Sequence, residues 1–364
     1  MKLFDSFLPG ALPMRPDQPT RSLSNRRQFL RRLGITSAVG YAAYLAHQVS
    51  PSPLSTDANG LLGKGRALWA AETSEATSET SGGYLKQSLK AGMIRAGKSD
   101  AANPWIERFR IAKDAGFEGV EPNTSPGMDV KAMVAASAET GLTIDGTVGG
   151  YHWGTTHTSP DAATRKKAQQ LLEESLQQTA DLGANTFLIV PGHGKDGTAE
   201  EVRQRAFEAL DRAVPLAEKL GVKILIENVW NHFLYDHGGD EKQSAQPLAD
   251  FVDSFNTSWI GVQFDLGNHW KYGDVAEWVK TLGHRIGKLD IKGFSREKGR
   301  FTDVTEGDID WASVRKALAE IKFEGWVAAE VGGGDAERLK KIHGQIETAL
   351  HCSKSLSQIK AETA

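Results

Sequence analysis

A chain of 364 residues that is 40% hydrophobic and 24% charged has the composition of an ordinary globular enzyme. Its formal net charge of -3 argues against a nucleic-acid partner, which calls for a strongly basic balance. The single cysteine, Cys352, excludes an intrachain disulfide and a cysteine-held metal cluster.

The N-terminus carries the most specific local motif. Asn25-Arg26-Arg27-Gln28-Phe29-Leu30 has the order of a twin-arginine export signal: two arginines, a polar residue, an aromatic and a leucine. The apolar stretch from Leu33 to Ala46 that follows is too short to span a bilayer core, which needs about 20 helical residues. Residues 1–46 therefore read as a signal segment recognised by the twin-arginine export machinery. The protein is then expected in the periplasm or otherwise exported, with retention by an uncleaved signal as the alternative. Residues 47–83, rich in Ser, Thr, Pro, Ala and Gly, read as a flexible linker, and residues 353–364 as a C-terminal tail.

Between them, in residues 84–352, short apolar runs alternate with amphipathic stretches, the pattern of βα units in a parallel sheet. Eight candidate strands occur in chain order: Ser88 to Ile94, Gly119 to Pro122, Leu142 to Val148, Thr186 to Pro191, Lys223 to Glu227, Ile260 to Asp265, Ile286 to Ile291 and Trp326 to Glu330. Helical patterns lie at Trp105 to Ala115, Ala162 to Leu182, Glu200 to Leu220, Pro247 to Ser254, Trp311 to Ile321 and Asp335 to Leu350. Glycines such as Gly141 and Gly221 stand where a left-handed cap would end a helix and lead into the next strand. Eight βα units close a (β/α)8 barrel. The rival, a doubly wound open sheet, lacks its Gly-rich phosphate fingerprint after the first strand.

Catalytic side chains of such barrels project from the C-terminal ends of the strands. Acidic residues recur there: Glu121 on the second strand, Glu227 on the fifth, Asp265 on the sixth, Asp290 on the seventh and Glu330 on the eighth. Carboxylates that follow apolar strand residues sit at the mouth of a low-dielectric interior and are costly unless paired or coordinated. A divalent cation is the usual remedy for several that converge.

Ile226-Glu227-Asn228, Asp265-Leu266-Gly267-Asn268, Asp290-Ile291-Lys292, the loop Glu306-Gly307-Asp308-Ile309-Asp310-Trp311 and Glu330 together resemble the xylose-isomerase-like sugar phosphate isomerase/epimerase superfamily. The likeness runs from about Leu85 to Leu350. It implies a metal held by Glu227, Asp265 and Glu330, with a fourth ligand on the seventh strand. The family has a histidine at that place and this chain has Asp290, so either Asp290 is the ligand or a loop histidine such as His269 serves instead. Metal identity (Mn, Mg, Co or Zn) stays open on that ground.

The resemblance further implies proton transfer at the carbon beside a carbonyl, through an enediolate, with Glu227 and Glu330 as the acid/base pair and Lys292 beside the developing oxyanion. A lyase or hydratase acting on a keto-sugar or inosose needs the same first step, and a non-catalytic exported sugar-binding protein is the reading from another class. His152, His193, Trp230, His232, Asn268 and His269 cluster with Glu121 at the same rim, where aromatic faces and polar groups suit a sugar substrate. A homo-oligomer is a further expectation from the resemblance.

Overall fold

A computed structural model describes residues 83–97 and 103–363. The expected export signal, and all but the last residue of the expected linker, lie outside them.

The barrel ring can be followed strand by strand. β1 (Leu85–Lys90) pairs in parallel with β2 (Gly119–Glu121) on one side and with the last barrel strand on the other. The second barrel strand is β2 continued by β3 (Asn123–Thr124), interrupted at Pro122, which has no N–H to give to a ladder. The third is likewise in two pieces, β4 (Thr143–Ile144) and β5 (Thr147–Gly149), broken at Asp145-Gly146. The lower halves pair with each other and so do the upper halves, which carries the ring across both breaks. β6 (Thr186–Ile189), β7 (Lys223–Glu227), β8 (Ile260–Asp265), β9 (Ile286–Ile291) and β12 (Gly325–Ala329) follow in order, all parallel, and β12 returns to β1. The expected (β/α)8 barrel is the fold.

A helix follows each barrel strand: α1 (Pro104–Asp114), α2 (Val130–Thr140), α3 (Ala162–Asp181), α4 (Ala199–Leu220), α5 (Gln246–Asp253), α6 (Val275–Leu282), α7 (Trp311–Glu320) and α8 (Ala336–Leu350), of which α2 and α6 are additional to the six helical patterns of the sequence. Each buries an apolar stripe against the strands: Phe109 on α1, Leu172 and Leu176 on α3, Leu210 on α4 and Ile342 and Ile346 on α8 are fully buried. Gly141 and Gly221 close α2 and α4 in the left-handed conformation, as their placement foretold.

Two differences from the sequence pattern matter. The first strand lies three residues earlier than Ser88 to Ile94, ending at Lys90, where a 3-10 turn over Ala91–Met93 takes over. Lys90 thus stands at the barrel mouth instead of inside a strand. The segment 353–364, expected as a tail, forms α9 (Leu356–Thr363), which packs on α7 and buries Ile359 completely.

β10 (Gly293–Ser295) and β11 (Arg300–Thr302) form an antiparallel hairpin in the loop after β9. Below it, Asp308 accepts from the Trp270 indole at 2.5 Å, and Asp310 caps α7 through the amides of Ala312 and Ser313. The acidic loop 306–311 is therefore structural.

Candidate active site

Four carboxylates converge at the C-terminal mouth of the barrel. Glu227 ends β7, Asp265 ends β8, Asp290 lies in β9 and Glu330 follows β12, and each offers one oxygen such that all four lie within 4.8 Å of one another. The sheet register brings two of them together directly, because Asp265 and Asp290 are cross-strand partners.

A local irregularity makes that pairing possible. Val262 pairs with Ile286 but Gln263 pairs with Lys288, so Gly287 is an extra residue without a partner in β8. One extra residue reverses the inside-outside alternation of everything after it. Ile286 joins the apolar core, while Lys288, Asp290 and Lys292 reach the interior charges. A Cβ at the bulge would lie 2.7 Å from Leu225 Cδ2, so a larger residue there would require the Leu225 side chain to move.

Asp265 is placed most rigidly. The Asn228 side chain accepts from its amide at 2.7 Å and donates to its carbonyl at 3.0 Å. Asp265 Oδ1 accepts from the amides of Gly267 and Asn268, at 2.8 and 2.7 Å, leaving Oδ2 buried without a hydrogen bond. The Lys292 ammonium stands 3.0 Å from that oxygen as a counter-charge and 2.7 Å from Glu330 Oε2. Glu227 accepts one hydrogen bond, from the Asn268 side chain at 3.2 Å.

The four carboxylates differ in charge state. Burial, reinforced by Glu330 and Asp290, pushes Glu227 well above the usual carboxylate range. Burial likewise raises Asp265 to about 6 and Asp290 to about 7, although Lys292 and Lys90 respectively oppose it. For Glu330 burial is outweighed by Lys292 and Lys90, which hold it below the usual range. One glutamate is thus biased toward the acid form and the other toward the base form.

A second charged layer lies beneath. Lys288, fully buried, contacts Glu121 Oε1 at 2.6 Å and also pairs with Asp145. Lys90 bridges the layers, contacting Glu121 Oε2 at 2.5 Å and both oxygens of Asp290 at 2.8 and 2.9 Å. Gln263 donates to Glu121 and to Asp290 Oδ1. Glu121, named from the sequence as a substrate contact, is held inside this network; burial opposes its charge, but the two lysines draw it down to about 2. Six carboxylates here face three ammonium groups. That excess of negative charge, an Asp265 Oδ2 with no hydrogen bond beyond its ion pair to Lys292, and the all-oxygen donor set fit a hard divalent cation such as Mg2+ or Mn2+.

The remaining sequence candidates form the rim. His152 is buried, accepts the Val190 amide on Nδ1 at 3.2 Å and feels the charges of Lys90 and Glu330; burial lowers its pKa to about 3, so it stays neutral with its proton on Nε2. His269 is not among the converging groups: it packs between Tyr235 and Trp278, with ring centroids at 4.6 and 4.8 Å. Asp290 therefore occupies the cluster that His269 was offered as an alternative to fill. Trp230 donates its indole N–H to the Asn268 carbonyl and packs against Phe294 and Phe301. His193 and His232 lie against each other as tilted rings with centroids 5.2 Å apart, partly exposed on the loops after β6 and β7. The sequence reading missed Lys90, Asp145, Gln263 and Lys288; the available signal was a charged or amide residue interrupting an apolar strand.

The profile of the xylose isomerase-like TIM barrel matches residues 109–355. The chain belongs to that family. Within it, a putative L-ribulose-5-phosphate 3-epimerase, SgbU, of Escherichia coli is 27% identical over 243 residues, covering 61% of this chain and 81% of its own. The 2-oxo-tetronate isomerase of Pectobacterium atrosepticum is 23% identical over 237 residues, covering 62% of this chain and 86% of its own. Among solved structures, L-ribulose 3-epimerase superposes with a TM-score of 0.62 at 20% identity, over 76% of this chain and 97% of that one. At that identity the superposition speaks for the fold. The family relatives named here are sugar epimerases and isomerases.

Proposed function

We propose that this protein is a divalent-metal-dependent sugar epimerase or isomerase that moves the proton on a carbon beside a carbonyl. The observation that carries the reading is the placement of Glu227 and Glu330. They come from the fifth and eighth barrel strands, well apart around the ring, yet bring oxygens within 4.8 Å of each other above the same floor.

In this reading Glu330, held ionised by Lys292, takes the proton, and Glu227, biased toward its acid form, returns one from another side. Exchange of those roles gives the reverse reaction. Lys292 places a fixed ammonium beside the oxygen on which charge develops. Glu227, Asp265 and Glu330 would hold the cation, with Asp290 beside them, and when bound it supplies polarisation of the substrate's carbonyl and hydroxyl oxygens.

The rim suits the C–H faces of a sugar ring, with Trp230, the half-exposed Phe301 and the exposed Trp153 as flat apolar surfaces. We place free keto- and aldo-sugars ahead of phosphorylated ones, a preference that rests on the twin-arginine motif and the exported location it implies. The test is solvent-deuterium incorporation into a panel of free and phosphorylated ketoses and aldoses, with Mn2+ and with chelator. Glu227→Gln and Glu330→Gln should each lower turnover by about 10²–10⁴ while leaving the thermal transition in place. Full exchange in either variant would remove it from the acid/base pair.

A further inference from the structure

The four converging carboxylates are not equivalent in what their oxygens already do. Asp290 Oδ1 accepts from Gln263 Nε2 at 2.8 Å and from Lys90 Nζ at 2.9 Å, and its Oδ2 accepts from Lys90 at 2.8 Å. Glu227 carries one neutral donor, Glu330 carries Lys292, and Asp265 takes both its hydrogen bonds on Oδ1, with the Lys292 ammonium 3.0 Å from Oδ2. Asp290 is thus the one with both oxygens hydrogen-bonded, and the one chelated by a single ammonium.

Its partner is equally committed. The Lys90 ammonium has three donors, and its neighbours are the two Asp290 oxygens and Glu121 Oε2. Lys90 is held from both sides: it is a cross-strand partner of Glu121 through the β1–β2 ladder, and it reaches Asp290 across β12, the strand between β1 and β9.

We propose that Lys90 is a positioning residue that locks Asp290 out of direct coordination, so that the cation is held by Glu227, Asp265 and Glu330 while Asp290 anchors the lysine. The seventh-strand position thereby carries a neutralised ion pair instead of a fourth charged ligand. The lock also keeps the charge of the site from growing: four free carboxylates would bind a cation more tightly and surrender substrate oxygens less readily. This rests on the metal reading of the site given above.

The experiment is a double-mutant cycle in Mn2+ affinity, measured by titration calorimetry on wild type, Asp290→Asn, Lys90→Met and the double variant, with Asp265→Asn as the comparator for a lost ligand. Asp290→Asn should cost less than about tenfold in affinity, against far more than about 100-fold for Asp265→Asn. Lys90→Met should tighten binding, and in that background Asp290→Asn should cost about 100-fold, because the freed carboxylate has become a ligand. Equal large losses from Asp290→Asn in both backgrounds would overturn the proposal and make Asp290 an ordinary ligand. Should Lys90→Met fail to fold, the comparison of Asp290→Asn with Asp265→Asn decides alone, since asparagine preserves the shape and the acceptor at position 290. Mn2+ binding by Lys90→Met but not by wild type would uphold the lock and remove the metal from the proposed function; binding by neither would overturn both.

Discussion

Lys288 and Glu121 meet at 2.6 Å inside the closed barrel, where neither side chain is more than 1% exposed. Such a charge pair is costly to bury and costlier to break, because removing one partner strands the other. Lys288 also pairs with Asp145, so Lys288→Met would strand Asp145 and leave Glu121 to Lys90 and Gln263. The expected loss is about 3–5 kcal/mol of unfolding free energy, read as a lower denaturant midpoint, with Glu121→Gln in the same chain recovering part of it. A loss below about 1 kcal/mol would mean that Lys90 and Gln263 alone satisfy Glu121.

The raised carboxylates make stability depend on pH in a definite direction. Asp265, at about 6, and Asp290, at about 7, keep protons in the folded state that the unfolded chain releases near the ordinary value of about 4. Their contribution is present in full below that value and is lost as pH rises through about 7. Glu121, at about 2, runs the other way: its contribution is present above the ordinary carboxylate range and lost as pH falls toward 2. With chelator present, the thermal midpoint should therefore peak near pH 5 and fall by roughly 5 °C toward pH 8. Saturating Mn2+ should reduce that fall by replacing the Asp265 proton with a cation. A midpoint indifferent to pH under chelator would show that water relieves the buried carboxylates.

Those same carboxylates show what a sequence reveals and what it hides. The strands Lys223–Glu227, Ile260–Asp265 and Ile286–Ile291 are legible to the residue, because an apolar run ended or interrupted by a carboxylate marks both the strand and its mouth. The first strand was not, since Ala91-Gly92-Met93 continues the apolar run after the backbone has turned. Nor were the lysine partners. Which carboxylate Lys90 or Lys288 meets depends on register across strands far apart in the chain and on the unpaired Gly287, which alone decides that Lys288 and Asp290 point inward. Local alternation carries no record of a bulge until the neighbouring strand is known.

Lys292 touches Asp265 and Glu330 at once, at 3.0 and 2.7 Å, and lies 5.1 Å from the centre of the Phe301 ring. A fixed ammonium here is worth most when charge develops on substrate oxygen. Lys292→Met should lower kcat by about 10²–10³ with a much smaller change in KM. Steady-state kinetics on the substrate found in the deuterium-exchange screen checks this. A rise in KM at unchanged kcat would recast Lys292 as a binding group.

Trp230 couples the apolar rim to the acid/base pair. Its indole N–H holds the Asn268 carbonyl, and the Asn268 side chain donates to Glu227 at 3.2 Å and to the Asn228 carbonyl at 2.8 Å. Its ring packs on Phe294 and Phe301, with the Lys271 ammonium 5.0 Å from its centre. The two roles separate by substitution. Trp230→Phe keeps a stacking face and loses the donor, so the position of Asn268, and through it Glu227, should relax: kcat falls severalfold while KM holds. Trp230→Leu loses the face as well, and KM should rise by about tenfold on top of that loss, the size expected for one aromatic contact with a sugar face. Equal kinetics for the two variants would place the whole effect in the hydrogen bond and remove the aromatic rim from substrate binding.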